Sequence, residues 1–199
     1  MFIAAIEGNI GSGKSTVIDL LQKNITDHCV YAEDVDSWVK EGILGKFYHN
    51  MKEYASSFQL RTQISHIENG KRFGAKNIVE RSPISNHYIF GELLHADGFL
   101  NEVEFEMIDR VNRLIGWTPD VVFVLLCDPE ECVERIKKRN REDEKIPGID
   151  YIRLLHQKHL ELEEKLKNDG YNTRVIYIDT THKSPQEVFE DIRGYLYKQ

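Results

Sequence analysis

The sequence has 199 residues and a mass of 23.2 kDa, enough for one substantial hydrophobic core. With 41% hydrophobic and 30% charged residues, 13 glycines and 5 prolines, its composition excludes collagen-like, low-complexity and wholly disordered chains. The formal net charge of −7 argues against a broad basic surface, so we expect neither a nucleic acid polymer nor a membrane as a partner, and any bound anion must be held locally.

The chain start and the cysteines bear on the cellular compartment. No run reaches the ~18 to 20 apolar residues of a membrane span, and the apolar start Met1 to Ile6 turns acidic and glycine-rich at once, so no cleaved signal peptide is expected. The three cysteines, Cys29, Cys127 and Cys132, do not form a disulfide framework. We expect reduced thiols, two of them in the core, and a cytoplasmic protein.

Short apolar runs alternate with longer amphipathic segments, a pattern typical of βαβ units. It predicts an α/β fold with a five-stranded parallel sheet flanked by helices, in a single domain spanning 1–199. The predicted strands are Phe2 to Ile6, Cys29 to Ala32, Ile78 to Val79, Val121 to Leu126 and Val175 to Ile178. Residues 103–115 carry their apolar side chains on one helical stripe, and a capping box at Ser184 with Pro185 starts a helix toward Leu196.

A phosphate-binding loop follows the first predicted strand. It reads Gly8-Asn9-Ile10-Gly11-Ser12-Gly13-Lys14-Ser15-Thr16 and matches G-x-x-x-x-G-K-[ST] between a strand and a helix. Backbone N–H groups of such a loop point at phosphate, and the helix opening near Lys14 adds its positive end. Lys14 should reach the β- and γ-phosphates of a nucleoside triphosphate, and the Ser15 hydroxyl suits a Mg²⁺ ligand.

Charged residues follow two other strands. Glu33 and Asp34 come after the second strand, and Glu80-Arg81-Ser82 comes after the third. In an open parallel sheet ligands bind at the carboxyl ends of the strands, so these groups should lie beside the triphosphate. A carboxylate there could accept a proton from an attacking hydroxyl and an arginine could offset charge, which describes phosphoryl transfer to an alcohol.

The segment 135–141 is basic in an acidic protein. Helical spacing puts Arg135, Lys138 and Arg139 on one face, and Arg141 follows. Beside a phosphate loop, this run is interpreted as a lid that closes over the triphosphate, bounded by Pro147 and Gly148. An N-K-x-D guanine-reading element is absent after the fourth strand, which argues against a GTPase.

The ordered motifs resemble the deoxyribonucleoside kinases of the deoxycytidine, deoxyguanosine and mitochondrial thymidine kinase type. The similarity runs through almost the whole chain, in the segments 6–16, 80–82 with 88–90, 135–141 and 146–156. It implies a P-loop kinase fold, transfer of the ATP γ-phosphate to the 5′-hydroxyl of a deoxynucleoside in nucleotide salvage, a Mg²⁺ requirement and a homodimer packed through helices.

The resemblance also assigns residues near the phosphate. Glu33 matches the general base, although Asp34 stands where the family usually has proline. Arg81 matches the arginine near the 5′-oxygen, and Glu80 matches the carboxylate near Mg²⁺. Lys14 and the lid arginines Arg135, Arg139 and Arg141 complete the catalytic set.

A base and sugar pocket follows in the same way. The matching residues are Trp38, Tyr48, Phe58, Gln59, His66, Asn86 and Phe90. Phe58 and Phe90 would flank the base, Gln59 would read its edge, and His66 with Asn86 stand where deoxycytidine kinase has an arginine and an aspartate. Tyr48 would bind the sugar 3′-hydroxyl with a lid carboxylate, Glu144 or, with another gap placement, Asp143.

Two other functions are compatible with the phosphate loop. A nucleoside monophosphate kinase such as thymidylate kinase would need basic residues for its acceptor phosphate, whereas Glu33, Asp34 and Asp36 line that region with acids. A non-catalytic nucleotide-binding regulator would leave Glu33, Arg81 and the arginine run without a shared purpose.

Overall fold

A computed structural model describes residues 1–139 and 147–197 and contains the predicted five-stranded, all-parallel sheet. The strands are β1 Phe2–Gly8, β2 Cys29–Tyr31, β3 Lys76–Glu80, β4 Val121–Leu126 and β5 Arg174–Asp179, in the spatial order β2-β3-β1-β4-β5. The third strand is longer than predicted and includes Glu80 itself.

Helices connect the strands. Their bounds are α1 Lys14–Asn24, α2 Val35–Lys40, α3 Ile43–His49, α4 Met51–Gly70, α5 Pro83–Ser85, α6 Glu92–Ala96, α7 Glu102–Leu114, α8 Pro129–Arg139, α9 Ile149–Leu160, α10 Leu162–Asn168 and α11 Pro185–Tyr197. A π-helical turn, Asn86–Gly91, joins α5 to α6. The predicted capping box is present, because the Ser184 hydroxyl donates to Glu187 at 2.7 Å and accepts from its N–H at 3.3 Å.

The sheet divides the core into two apolar layers, since successive strand residues point to opposite faces. Ile6 and Phe123 face the layer closed by α1 and α11, while Ala5 and Val124 face the layer closed by the π-helical turn, α9 and α10. Within the described residues, no helix has the length and apolar character needed to cross a membrane. The predicted apolar stripe of α7 is only partly buried, because Ile108 packs inward whereas Val103 and Met107 are exposed.

The strand order determines where a ligand can bind. β1 lies in the centre beside β4; the connection leaving β1 runs to β2 on one side of the sheet, whereas the connection leaving β4 runs to β5 on the other. A crevice forms where connections diverge in this way, outside the carboxyl ends of the strands. The phosphate loop after β1, Glu33 after β2 and Arg81 after β3 all meet at that edge.

The π-helical turn leaves no room for a side chain at Gly91. A Cβ on Gly91 would lie 2.6 Å from the carbonyl oxygen of Asn86 and 3.4 Å from a ring carbon of Phe105. The backbone carbonyl cannot move away without opening the turn that carries both Asn86 and Phe90.

We therefore expect Gly91→Ala to destabilise the protein by about 1 to 3 kcal/mol, as measured by urea unfolding. Gly194, in α11, has no atom within 4 Å of its Cβ position, so Gly194→Ala is the matched control. Removing this helix-interior glycine should stabilise by up to about 1 kcal/mol. Equal stability changes in the two variants would contradict the steric role of Gly91.

Candidate active site

The phosphate loop has the backbone shape that its glycines permit. Gly8, Gly11 and Gly13 all have positive φ, at 142°, 83° and 97°. A Cβ on Gly8 would lie 2.6 Å from the Leu125 carbonyl oxygen, and one on Gly11 would lie 2.5 Å from the Cys132 carbonyl oxygen. The loop therefore packs tightly on β4 and α8 and leads into α1, which begins at Lys14.

Lys14 lies buried inside the loop. Its Nζ donates to the carbonyl oxygens of Gly8 at 3.1 Å and Asn9 at 2.8 Å. Burial, followed by the positive charge of Arg81, lowers the pKa of Lys14 to about 8. An anion at the loop would add negative charge beside this buried ammonium.

The two predicted metal ligands touch each other. The Ser15 hydroxyl donates to Glu80 Oε1 at 2.8 Å, although they are 65 residues apart in sequence. The other oxygen, Oε2, accepts the backbone N–H of Glu33 at 3.3 Å. Glu80 thus holds the start of the β2 connection against the phosphate loop.

Arg81 is the strained residue at the centre of the site. Its φ of 62° makes it the one non-glycine residue with positive φ in the described part of the chain, and its side chain is buried. Nε lies 3.0 Å from Glu33 Oε1, and the guanidinium carbon lies 4.6 Å from the centroid of the Phe90 ring. Strained backbone at a buried ion pair is typical of functional sites.

The predicted sugar and base residues line one cavity. It encloses about 830 Å³ of empty space, including the part open to solvent, and Lys14, Ser15, Glu33, Glu80 and Arg81 line its inner end. Six of the seven predicted pocket residues line the rest: Trp38, Tyr48, Phe58, Gln59, Asn86 and Phe90.

Aromatic rings form one wall of this cavity. Phe58 stacks on Phe47 with ring centroids 4.6 Å apart, and Trp38 meets Phe58 edge-on at 5.4 Å. Trp38 Nε1 donates to the Ser65 hydroxyl at 3.4 Å, which holds its ring against α4. The wall is therefore a pre-built surface against which a planar base could stack.

His66 does not line this cavity but a smaller pocket, which shares Glu33, Thr62 and Glu80 with it. Gln59, Thr62 and His66 follow one another at helical spacing on α4, and the cavity ends at Thr62. His66 is buried behind it, where desolvation lowers its pKa to about 4, so it is neutral at pH 7. Thr62, which we did not assign from the sequence, accepts from Asn86 Nδ2 at 2.7 Å and donates to the Gln59 carbonyl at 2.7 Å.

Asp34 was expected to line the acceptor region with Glu33, but its carboxylate pairs with Arg61 instead. Its Oδ2 lies 3.1 Å from Nη2 of Arg61, whose Nε donates to Glu41 at 2.7 Å. Asp34 is absent from the residues that line the cavity, as is Asp36, so neither contributes negative charge to its wall. Glu33 and Glu80 are the acids that do.

A basic groove lies on the other side of the phosphate loop. It is lined by Gly11, Gly13, Lys14, Ser15, Thr16, Arg135, Lys138 and Arg139, without an acidic residue among them. Arg135 is held at the groove by Glu131 at 2.9 Å and by the Thr180 carbonyl at 3.1 Å. The structure thus brings Arg135 and Arg139 to the loop, while Arg141, Asp143 and Glu144 lie outside the described residues.

Asn9 and Ser12 anchor the phosphate loop through hydrogen bonds. Asn9 Nδ2 donates to the Ile152 carbonyl of α9 at 2.8 Å, and its Oδ1 accepts the N–H of Ile10. Ser12 contributes its carbonyl to the Thr180 hydroxyl at 3.2 Å. These bonds fix the loop against the two segments that flank it.

Sequence reasoning assigned no role to Glu7, the residue before the loop. Its carboxylate is fully buried, and desolvation raises its pKa to about 7. A carboxylate in an otherwise apolar strand is the signal that could have identified it. Tyr151 of α9 was also unassigned, and it lines the cavity with a pKa that burial raises to about 12.

Sequence comparison finds relatives along almost the whole chain. A sequence model of the deoxynucleoside kinase family matches residues 4–195. Human mitochondrial thymidine kinase 2 is 31% identical over 205 residues, covering 98% of this chain and 77% of the relative. The thymidine kinase of Ictalurid herpesvirus 1 is 32% identical over 166 residues, covering 79% and 72%. Bovine deoxycytidine kinase is 28% identical over 222 residues, covering 95% and 84%.

These matches confirm the predicted family and the predicted enzyme class, a kinase that phosphorylates deoxynucleosides. The α/β fold of the structure is consistent with that family. The family match spans the phosphate loop, the Glu80-Arg81 pair and α8 in a single alignment. The chain therefore belongs to the deoxynucleoside kinase family.

Proposed function

We propose that the protein transfers the γ-phosphate of ATP to the 5′-hydroxyl of a deoxynucleoside, with Glu33 as the general base. The observation that carries this proposal is the Glu33–Arg81 pair, 3.0 Å apart, at the end of a cavity that also contains Lys14 and Ser15. A hydroxyl at Glu33 would be close to a phosphate held by the loop.

In the proposed reaction, Glu33 accepts the proton of the 5′-hydroxyl as that oxygen attacks phosphorus. The new O5′–P bond forms while the bond to the ADP oxygen breaks, so the products are a nucleoside monophosphate, ADP and a proton left on the carboxylate. Arg81 and Lys14 stabilise negative charge on the transferring oxygens. The aromatic wall with Phe58 places the base, and Tyr48 places the sugar.

The residues present fit a Mg²⁺ ion held partly by phosphate. In residues 1–139 and 147–197 there is no group of three or more His, Cys, Asp or Glu side chains that could hold a metal alone. Mg²⁺ usually binds one or two protein oxygens together with substrate phosphates and water. Ser15 Oγ and Glu80, already 2.8 Å apart, are the two oxygen donors we assign to it. When bound, Mg²⁺ offsets charge on the phosphate oxygens.

The basic groove is the proposed donor site. Its lining supplies four cations, Lys14, Arg135, Lys138 and Arg139, and complements a triphosphate. A smaller cleft beside it, between Ser12 and Lys183, continues from the loop toward α11, and we assign it to the donor's nucleoside. Donor and acceptor would then approach the loop from opposite sides.

A monophosphate acceptor fits this cavity less well. Two carboxylates, Glu33 and Glu80, line the end at which the acceptor's phosphate would lie. Like charges a few ångströms apart in a partly dry cleft repel strongly. The cavity therefore favours an uncharged hydroxyl, and the family match favours the same conclusion.

The decisive experiment measures ADP release with Mg·ATP and each of the four deoxynucleosides or their monophosphates as acceptors. We expect turnover with at least one deoxynucleoside and none with monophosphates. Turnover confined to monophosphates would overturn the proposal, and ATP binding without turnover would indicate a regulator.

Glu33→Gln should lower kcat by about 100-fold or more, because a general base acts in the transition state. Nucleoside KM should stay within a few-fold, since ground-state contacts remain. The matched control is Glu41→Gln, which removes an exposed carboxylate paired with Arg61 outside the cavity. Near-normal kcat in Glu33→Gln would remove Glu33 from the mechanism.

Asn86 is the polar residue that we propose selects the base together with Gln59. Its amide can donate and accept, whereas a carboxylate only accepts. Asn86→Asp should therefore shift kcat/KM toward bases with an exocyclic amino group, by about tenfold in the deoxycytidine-to-thymidine ratio. Asn112→Asp, which alters an amide bonded to the Pro83 carbonyl instead, should leave that ratio unchanged. An unchanged ratio in Asn86→Asp would show that the base lies elsewhere.

We propose a homodimer formed through α4 and α7. These helices pack together, with Gln63 Nε2 donating to the Ile108 carbonyl at 2.6 Å, and they expose large apolar side chains: Leu60, Ile64, Val103, Met107 and Leu114. Clustered exposed apolar groups of this size are typical of interaction surfaces. A second copy would bury them through a two-fold axis.

Met107→Glu should convert that dimer to a monomer, because a charge on the two-fold face is desolvated without a partner. Light scattering after size-exclusion chromatography measures the mass directly. Leu154→Glu, an equally drastic change of an exposed leucine on α9, is the control and should leave the dimer intact. A wild-type protein that is monomeric at micromolar concentration would contradict the proposal.

Two broader proposals follow from the same features. Residues 1–199 form a single kinase domain, which is supported by one sheet shared between both apolar layers. A reducing, cytoplasm-like compartment is supported by three free cysteines, of which Cys127 and Cys132 are buried as predicted and Cys29 is exposed.

A further inference from the structure

Glu7 is a buried carboxylate for which the proposed reaction has no use. It lies near the end of β1, directly before the phosphate loop, and has no exposed surface. Oε1 accepts the Ser82 hydroxyl at 2.7 Å. Oε2 has no hydrogen-bond partner in the structure. An unpartnered oxygen of a fully buried carboxylate is costly and calls for an explanation.

Arg81 is the cation that forms an ion pair with Oε2 of Glu7. Nη1 of its guanidinium lies 3.8 Å from Glu7 Oε2, beyond hydrogen-bond distance, while the same nitrogen makes a long bond of 3.3 Å to the Gly8 carbonyl. Nε is paired with Glu33 at 3.0 Å. The guanidinium thus lies between two carboxylates, close to one and a displacement of about 1 Å from a charge-assisted hydrogen bond with the other.

This arrangement matters because the two carboxylates have different tasks. Oε1 of Glu33 is engaged by Nε of Arg81 at 3.0 Å. The acceptor hydroxyl of the proposed reaction must approach the same carboxylate, so Arg81 competes with it for Oε1. A second buried carboxylate would let Arg81 keep a countercharge after leaving Glu33.

We propose that Glu7 is a positioning residue that receives the guanidinium of Arg81 when the acceptor hydroxyl binds Glu33. Oε1 of Glu33 can then accept the hydroxyl in place of Arg81, and Arg81 turns toward the transferring phosphate while remaining neutralised. The inference rests on the proposed function of Glu33.

The surroundings of Glu7 leave Arg81 as its natural partner. The other charged group that acts on it is Lys14, which is occupied by two loop carbonyls. The Ser82 hydroxyl donates to Oε1, whereas the Ser85 hydroxyl donates to the Ser82 carbonyl at 3.1 Å. On α9, burial lowers the pKa of His159, on which Arg81 acts, to about 3, so this imidazole is neutral and adds no competing charge.

Because burial raises the pKa of Glu7, the stability of the protein can also be used to test the proposal. The pKa of Glu7 is raised from 4.5 to about 7, so the folded state favours the protonated form. The stability associated with that form is full below pH 4.5 and is lost as the pH rises through 7. A neutral side chain at this position should therefore cost no stability at pH 8, whereas a purely structural carboxylate would cost stability there.

The experiment compares Glu7→Gln with the wild type at pH 8. The amide keeps an oxygen for Ser82 and removes the charge that would receive Arg81. We expect kcat to fall about tenfold or more with nucleoside KM within about threefold and Tm no lower than the wild type. Glu7→Asp, which keeps the charge on a shorter side chain, should recover part of kcat. Ser82→Ala removes the hydrogen bond and not the charge, so its kcat should stay within about threefold.

A double-mutant cycle separates this role from a general disturbance of the site. If Glu7 acts by releasing Glu33, Glu7→Gln should have little further effect on kcat when Glu33 is already glutamine. The same fold loss in both backgrounds would overturn the proposal, as would full kcat in Glu7→Gln or a loss reproduced by Ser82→Ala. Should Glu7→Gln fail to fold, a Glu7→Asp variant with the stability and kcat of the wild type would overturn it, and a folded Glu7→Asp with reduced kcat at unchanged KM would support it.

The two proposals fail in different ways. Near-normal turnover of Glu33→Gln alone would refute the proposed base, whatever Glu7 does. An inactive Glu33→Gln with a fully active Glu7→Gln would refute only the role of Glu7.

Discussion

A buried guanidinium needs negative charge around it, and this requirement organises the catalytic edge of the sheet. Arg81 is 7% exposed and lies among Glu33, Glu7 and the Gly8 carbonyl, with Phe90 against its face. Its left-handed backbone conformation costs of order 1 to 3 kcal/mol and persists only because these partners determine it. The two carboxylates come from β1 and the segment after β2, so the pairing depends on the order β2-β3-β1.

The same arrangement explains why the inner part of the site could be predicted from sequence. The phosphate loop is a local motif whose glycines and lysine lie within nine residues, so no tertiary information is needed to locate it. Glu33 and the Glu80-Arg81 pair are distant in sequence, but each lies at or just after the carboxyl end of a strand, and the carboxyl ends of parallel strands share one edge. Topology therefore brought them together as expected.

The outer part of the site depended on details that sequence alone does not contain. On α4, Thr62 and His66 occupy neighbouring positions of one helical face, and only the depth of the cavity decides that Thr62 lines it. Asp34 adjoins Glu33 in the chain but points to Arg61, because a cation on α4 is available there. Similarly, the apolar stripe of α7 was predicted, while the exposure of Met107 depends on how α4 and α7 are oriented.

The bond between Asn9 and the Ile152 carbonyl has a consequence for how the protein matures. It joins positions 143 residues apart, so the loop acquires this support only after synthesis has passed Ile152 of α9. Contacts of such sequence separation form late, since the intervening chain must first lose its conformational freedom. During synthesis on the ribosome, the phosphate loop would be translated long before α9 and would gain this support only afterwards.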